Sequence, residues 1–271
     1  MAHQPLRVSK RMLDSVGPGI FVTEAGTGPL LLLLHGIGSS GASWLPVLRQ
    51  LAAHFHLVMP DWRGHGASGK PGGYLLHDYA ADLDQLIDAF GERPIILGHS
   101  LGALVATTWA IGHPAKARAI ILEDMPLTID RDGAGRLTTW VEMNQLPIDV
   151  LIARYQSENP HWTAEDCHRR AEVMTSVDVR VFLELRDLAM TGNGLSMLTG
   201  AESVQSPLHL IYGDIAAGGL ISDEMAAVFR SQNPGFSTKQ IPGASHSIHR
   251  DATEPFLKEV LAYLNQIGID T

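Results

Sequence analysis

Apolar residues fall along this chain in short runs bounded by Gly, Pro or Asp. Such runs occupy 30–34, 57–59, 95–97, 119–122, 208–212 and 238–241. Runs of this length predict strands covered on both faces, the habit of parallel sheets. Between them the spacing changes. Leu75, Tyr79, Leu83, Leu86, Ile87 and Phe90 recur at helical intervals, as do Phe256, Val260, Tyr263, Leu264 and Ile267. This period predicts helices over 42–54, 74–90, 101–111, 222–230 and 255–267. Alternating strands and helices predict an α/β fold, with a mostly parallel central sheet and helices on both faces.

The stretch from 126 to 207 breaks the alternation. It offers helical patterns at 137–146, 148–155, 164–173 and 179–190, and no convincing strand. It is too long for a simple crossover. It reads as a helical insertion above the carboxyl ends of the strands, where open parallel sheets bind ligands. The expected division is a core of residues 1–125 and 206–271 and a helical cap of residues 126–205.

One motif carries chemistry. Gly98-His99-Ser100-Leu101-Gly102 lies where the strand at 95–97 turns into the helix at 101–111. A turn that sharp brings backbone against backbone, which favours glycine on both sides of the serine. It lifts the Ser100 hydroxyl to the sheet edge over a helix N-terminus, where developing negative charge is favoured. Attack on a carbonyl also needs donors for the oxyanion. The Leu101 amide is one candidate. The Ile37 amide, in the loop His35-Gly36-Ile37-Gly38 after the first core strand, is the other.

The chain holds 13 histidines, so position must choose the base. His246, in Pro242-Gly243-Ala244-Ser245-His246-Ser247, follows the last strand and reaches the same sheet edge as Ser100. His249 is its rival. His99 should point elsewhere, and His35 and His65 read as loop braces. The acid, which must hold the imidazole tautomer, has candidates at two strand ends. Asp124 is preferred to Asp214, which also suits a turn after Gly213. Glu123 is third.

Composition narrows the partners. With 271 residues, 45% of them apolar, the chain can bury a large core. A formal net charge of −9 argues against nucleic acid and anionic membranes. The longest apolar run is far short of the ~20 residues needed to span a bilayer. The first fifteen residues are polar and do not read as a secretory signal. A single cysteine, Cys167, forbids an intrachain disulfide and leans toward a reducing compartment. The expectation is a cytoplasmic enzyme with a small-molecule substrate. No metal or cofactor motif is visible.

Taken together, these motifs resemble the α/β-hydrolase superfamily across almost the whole chain. The block Met59-Pro60-Asp61-Trp62-Arg63-Gly64-His65-Gly66-Ala67-Ser68 is similar to that superfamily's structural loop after a core strand. The resemblance implies an α/β-hydrolase fold with a helical cap inserted after the sixth strand. It also implies a catalytic triad of Ser100, Asp124 and His246, an oxyanion hole of Ile37 and Leu101, and no cofactor. Many members carry the acid as Gly-x-x-Asp after the seventh strand; here that position is Ala216. Others carry it after the sixth strand, which corresponds to Asp124. A serine at position 100 disfavours the epoxide hydrolases and haloalkane dehalogenases of this fold, which use aspartate.

The implied chemistry is two-step acyl transfer on a carboxyl ester, lactone or thioester of a small, largely apolar substrate. Trp140, Met143, Tyr155, Trp162, Met174, Phe182, Met190 and Met197 either wall the pocket or pack the cap on the body. A cofactor-free lyase on the same triad and a non-catalytic small-ligand receptor are the alternatives.

Overall fold

The computed structural model describes residues 6–129, 131–160, 162–191 and 195–271. Residues 1–5, at the start of the stretch read as lacking a secretory signal, lie outside it, as do 130, 161 and 192–194 of the expected cap. The core strands are β1 (Val8–Leu13), β2 (Ile20–Ala25), β3 (Leu30–Leu34), β4 (His56–Pro60), β5 (Ile95–His99) and β6 (Ala119–Glu123). After two short strands, β7 (Thr128–Ile129) and β8 (Leu195–Ser196), come β9 (Leu208–Tyr212) and β10 (Phe236–Gln240). The main sheet has the order β1-β2-β4-β3-β5-β6-β9-β10. It is parallel from β4 to β10, while β1 and β2 pair antiparallel at one edge. Six strands match the predicted runs. β1 escapes the hydrophobic signal because five of its six residues are exposed, as an edge permits; β2, interrupted by Thr23 and Glu24, offers no continuous apolar run.

The runs in β3, β5, β6 and β9 are buried on both faces, whereas β10, at the sheet edge, is only partly buried and leaves Lys239 exposed, against the expectation for 238–241. Leu30, Leu32 and Leu34 of β3 belong to one hydrophobic cluster, and Leu31 and Leu33 to the other. The first cluster lies against α2 (Leu76–Phe90) and α3 (Leu101–Gly112). The second is covered by α1 (Leu45–Leu51) and by the C-terminal helix (Thr253–Gln266). Between β6 and β9 run α4 (Arg131–Asn144), α5 (Ile148–Glu158), α6 (Ala164–Ser176) and α7 (Arg180–Thr191). The helix α8 (Asp223–Ser231), the short α9 (Ile248–Asp251) and α10 (Thr253–Gln266) complete the chain.

The insertion differs from its reading in one respect. β7 and β8 form a small antiparallel ladder at its base, Thr128 opposite Ser196. Two residues per strand are too few to leave a periodic signal. The insertion does not build a core of its own. Met143, Leu151, Met174 and Phe182 join the same buried cluster as Leu34 and Leu104. Polar contacts add to the seam. The Tyr74 hydroxyl donates to Asp178 at 2.7 Å, and the Asp178 amide donates to the Gly64 carbonyl at 2.8 Å.

Candidate active site

Ser100 stands between β5 and α3 with φ 52° and ψ −111°. The flanking glycines are required by contact. A Cβ on Gly98 would lie 2.6 Å from the backbone of Gly102, and one on Gly102 would lie 2.2 Å from the Leu34 carbonyl oxygen. The bend is anchored by the Ser100 amide, which donates to the Glu123 carbonyl at 3.0 Å. The hydroxyl makes no cap bond to its own helix. Among the described residues only two that are not glycine have positive φ: Ser100 and Asp124. Each such conformation costs about 1–3 kcal/mol and persists where its surroundings enforce it.

Asp124 leaves the end of β6 with φ 42° and no solvent exposure. Its Oδ2 accepts a 2.7 Å bond from Nδ1 of His246 and a 2.9 Å bond from the Leu220 amide. Its Oδ1 accepts from the Gly213 amide at 3.2 Å. Three donors thus solvate a buried carboxylate. Asp214 instead caps a short turn, where its Oδ1 accepts from the Ala216 amide at 2.9 Å. The third acid candidate and the rival base bond each other. Glu123 accepts from both the amide (2.8 Å) and the Nδ1 (2.8 Å) of His249, and both residues are buried.

His99, expected to point elsewhere, instead lies against the loop that carries His246. Its Nε2 donates to the His246 carbonyl at 3.0 Å, and the two rings lie 4.6 Å apart. The residue before the serine therefore holds the loop that carries His246. Burial, followed by the charges of His246 and His249, keeps the His99 pKa well below the ordinary imidazole value, so this ring stays neutral.

The loop at 35–38 is braced by two buried histidines. His35 Nδ1 donates to the Gly36 carbonyl at 2.8 Å, and its Nε2 accepts from the Trp62 amide at 3.0 Å. His65 Nδ1 donates to the Arg63 carbonyl at 2.9 Å, and its Nε2 accepts from the Gly38 amide at 3.1 Å. Both rings must be neutral to accept. Burial lowers His35 to about 4 and His65 to about 3. Asp61, just past β4, accepts from the Gly41 and Ala67 amides at 2.8 and 3.0 Å, which fits a structural loop. The Ile37 amide, held between these braces, donates to none of the described residues. The Leu101 amide begins α3, where no carbonyl of its own helix can reach it.

Ser100, His246, Ile37 and Leu101 meet at one cavity of about 240 Å³. Its walls are largely apolar, with Leu104 from α3, Leu137 and Trp140 from α4 and Leu185 from α7. Of the aromatic and Met residues singled out in the insertion, Trp140 lines this cavity. Met143, Tyr155, Met174 and Phe182 are buried in packing, and Met197 packs partly buried against the core. Met190 is 54% exposed. Trp162 lines a second cavity of about 110 Å³, which shares Ile37, Ser100, Trp140 and His246 with the first.

Among the described residues no helix is long and apolar enough to cross a membrane. No group of three or more His, Cys, Asp or Glu among them could hold a metal ion. A family model for the alpha/beta hydrolase family matches residues 31–259. The 2-(acetamidomethylene)succinate hydrolase of Mesorhizobium japonicum is 30% identical over 258 residues, covering 90% of this chain and 91% of that one. The pimeloyl-(acyl-carrier protein) methyl ester esterase of Yersinia enterocolitica is 26% identical over 248 residues, covering 87% and 93%. The crystal structure of E-2-(acetamidomethylene)succinate hydrolase superposes with a TM-score of 0.82 at 25% identity, covering 96% of this chain and 100% of that one.

Proposed function

Because the chain belongs to the alpha/beta hydrolase family and is a hydrolase of it, we propose that it cleaves carboxyl esters through an acyl-enzyme on Ser100. The observation that carries this reading is the relay from Asp124 through His246 to the cavity that Ser100 also lines. With Nδ1 bonded to the carboxylate, the free Nε2 of His246 is the nitrogen left to accept a proton. It takes the Ser100 proton as Oγ bonds to the substrate carbonyl carbon. The Ile37 and Leu101 amides stabilise the oxyanion. When the intermediate collapses, the C–O bond to the leaving alcohol breaks and the alcohol takes the proton from His246. Water then attacks the acyl-enzyme with His246 as base, releasing the acid and restoring Ser100. Esters, lactones and thioesters share this chemistry. The apolar walls around Trp140 and Leu185 suit an aliphatic acyl chain.

The relatives named for hydrolysis of 2-(acetamidomethylene)succinate and of a pimeloyl methyl ester are consistent with attack on an acyl carbon. Profiling the protein on p-nitrophenyl esters of graded acyl length, beside Ser100→Ala, tests the proposal. Hydrolysis that peaks at short to medium chains and vanishes in the variant supports it. Equal inactivity of both proteins across the series counts against it.

A further inference from the structure

The second cavity, beside Ser100, carries charge that the catalytic reading does not use. Arg170 of α6 and Arg250 of α9 both line it. Neither forms an ion pair among the described residues. The neighbouring Arg169 is paired with Asp166 at 2.9 Å, and Asp251 is bonded to the Ser245 hydroxyl. Arg250 instead lies over the Trp162 ring, 4.5 Å from its centre, and Arg170 lies 5.6 Å from the centre of the Tyr155 ring and donates to the Gly38 carbonyl. One unsatisfied hydroxyl joins them. The Ser43 hydroxyl lines the same cavity, and its oxygen is buried with no hydrogen-bond partner.

Two half-buried guanidiniums facing one small space repel each other, and burying charge without a partner is unfavourable. Burial, and after it the charge of Arg170, lowers the pKa of Arg250. The rest of the chain is acidic, with a net charge of −9, so this concentration of positive charge is local. Guanidinium forks stacked on aromatic rings match planar, bidentate anions. A space of about 110 Å³ suits a single carboxylate.

We infer that Arg170 and Arg250, with the Ser43 hydroxyl, form a subsite for a carboxylate carried by the substrate itself, a short linker away from the carbonyl that Ser100 attacks. The substrates are then acidic esters or related acyl compounds whose free carboxylate docks between cap and core while the apolar cavity takes the other end. The subsite rests on the hydrolase reading for its catalytic meaning, yet it can be tested apart from it.

The first arm uses binding. The inactive Ser100→Ala protein is titrated with succinate, dimethyl succinate and inorganic phosphate by calorimetry. Succinate should bind, and Arg250→Gln in that background should weaken it by about 10- to 100-fold, the range for a lost charged hydrogen bond. Binding of the neutral diester as tight as that of succinate, undiminished binding in Arg250→Gln, or preference for phosphate each overturns the proposal. The second arm uses turnover. The ratio of kcat/KM for mono-p-nitrophenyl succinate over p-nitrophenyl butyrate should exceed one in the wild type and drop below one in Arg250→Glu. An unchanged ratio rejects the subsite while leaving ester hydrolysis standing. If neither ester is cleaved, the hydrolase reading fails, and the binding arm alone decides the subsite. Arg170→Lys, which keeps charge but loses the fork, guards against a folding defect in the Arg250 variants and should lower the same ratio.

Discussion

Replacing Asp124 by Asn exchanges one carboxylate oxygen for an amide and removes a charge that three donors now solvate. The side chain has two ways to sit. With its oxygen at the Oδ2 position, the bonds from His246 and Leu220 survive, and the new NH2 group faces the Gly213 amide, now 3.2 Å from Oδ1. That leaves a buried donor facing a donor, costing about 1–3 kcal/mol of stability. The reverse orientation turns NH2 toward His246 Nδ1 and forces the wrong imidazole tautomer. Even the better orientation loses the charge that stabilises the imidazolium. At a charge separation of roughly 4 Å and an effective dielectric of about 20, this is worth about 4 kcal/mol. Each 1.36 kcal/mol is a factor of ten, so kcat should fall by about 10³ or more. Asp214→Asn keeps a good acceptor at a turn cap and should change kcat by less than about threefold. The assay is steady-state hydrolysis of p-nitrophenyl acetate, with circular dichroism to verify folding. A larger loss in Asp214→Asn than in Asp124→Asn refutes the reasoning.

Acidification should loosen the loop that holds Ile37. An unfolded imidazole titrates near 6.5, whereas His35 and His65 do so at about 4 and about 3 in the folded protein. Between these values the unfolded chain binds more protons, so stability falls as pH falls below about 6.5. For the two rings together the loss from pH 7 to pH 5 is roughly 4 kcal/mol; a level stability in denaturant titrations over that range contradicts it. Gly102→Ala drives a Cβ into the Leu34 carbonyl and should cost about 3 kcal/mol, lowering Tm by roughly 5–10 °C. Gly112→Ala, at the end of the same helix with nothing within 4 Å, should leave Tm level or raise it slightly. Equal Tm changes in the two variants would remove the steric account of the bend.

The core of this fold was readable because its strands are apolar on both sides; Leu30–Leu34 could hardly be anything else. The edge was not, since β1 is mostly exposed and carries no pattern. The placement of Ser100 on the turn after β5 and of His246 in the loop after β10 was legible from motif and chain order. That Asp124, and not Asp214, would bond His246 was not, because both follow strand ends. What separates them is tertiary: partners 89, 96 and 122 residues away converge on Asp124. His99 as a brace for the His246 loop left no trace in the sequence either. The expectation of an apolar pocket holds for the cavity around Trp140 and Leu185. Arg170 and Arg250, from separate helices, add a charged cavity that no local pattern announces.

One hydroxyl, that of Ser100, is proposed to perform the attack. Intact-protein and peptide mass spectrometry after exposure to a fluorophosphonate measures it directly. The expected result is a single adduct on the peptide containing Ser100, loss of hydrolysis in step with labelling, no adduct in Ser100→Ala, and a kcat lowered by about 10⁴ or more in that variant. Undiminished hydrolysis by Ser100→Ala, or inactivation that tracks a label on another residue, contradicts it.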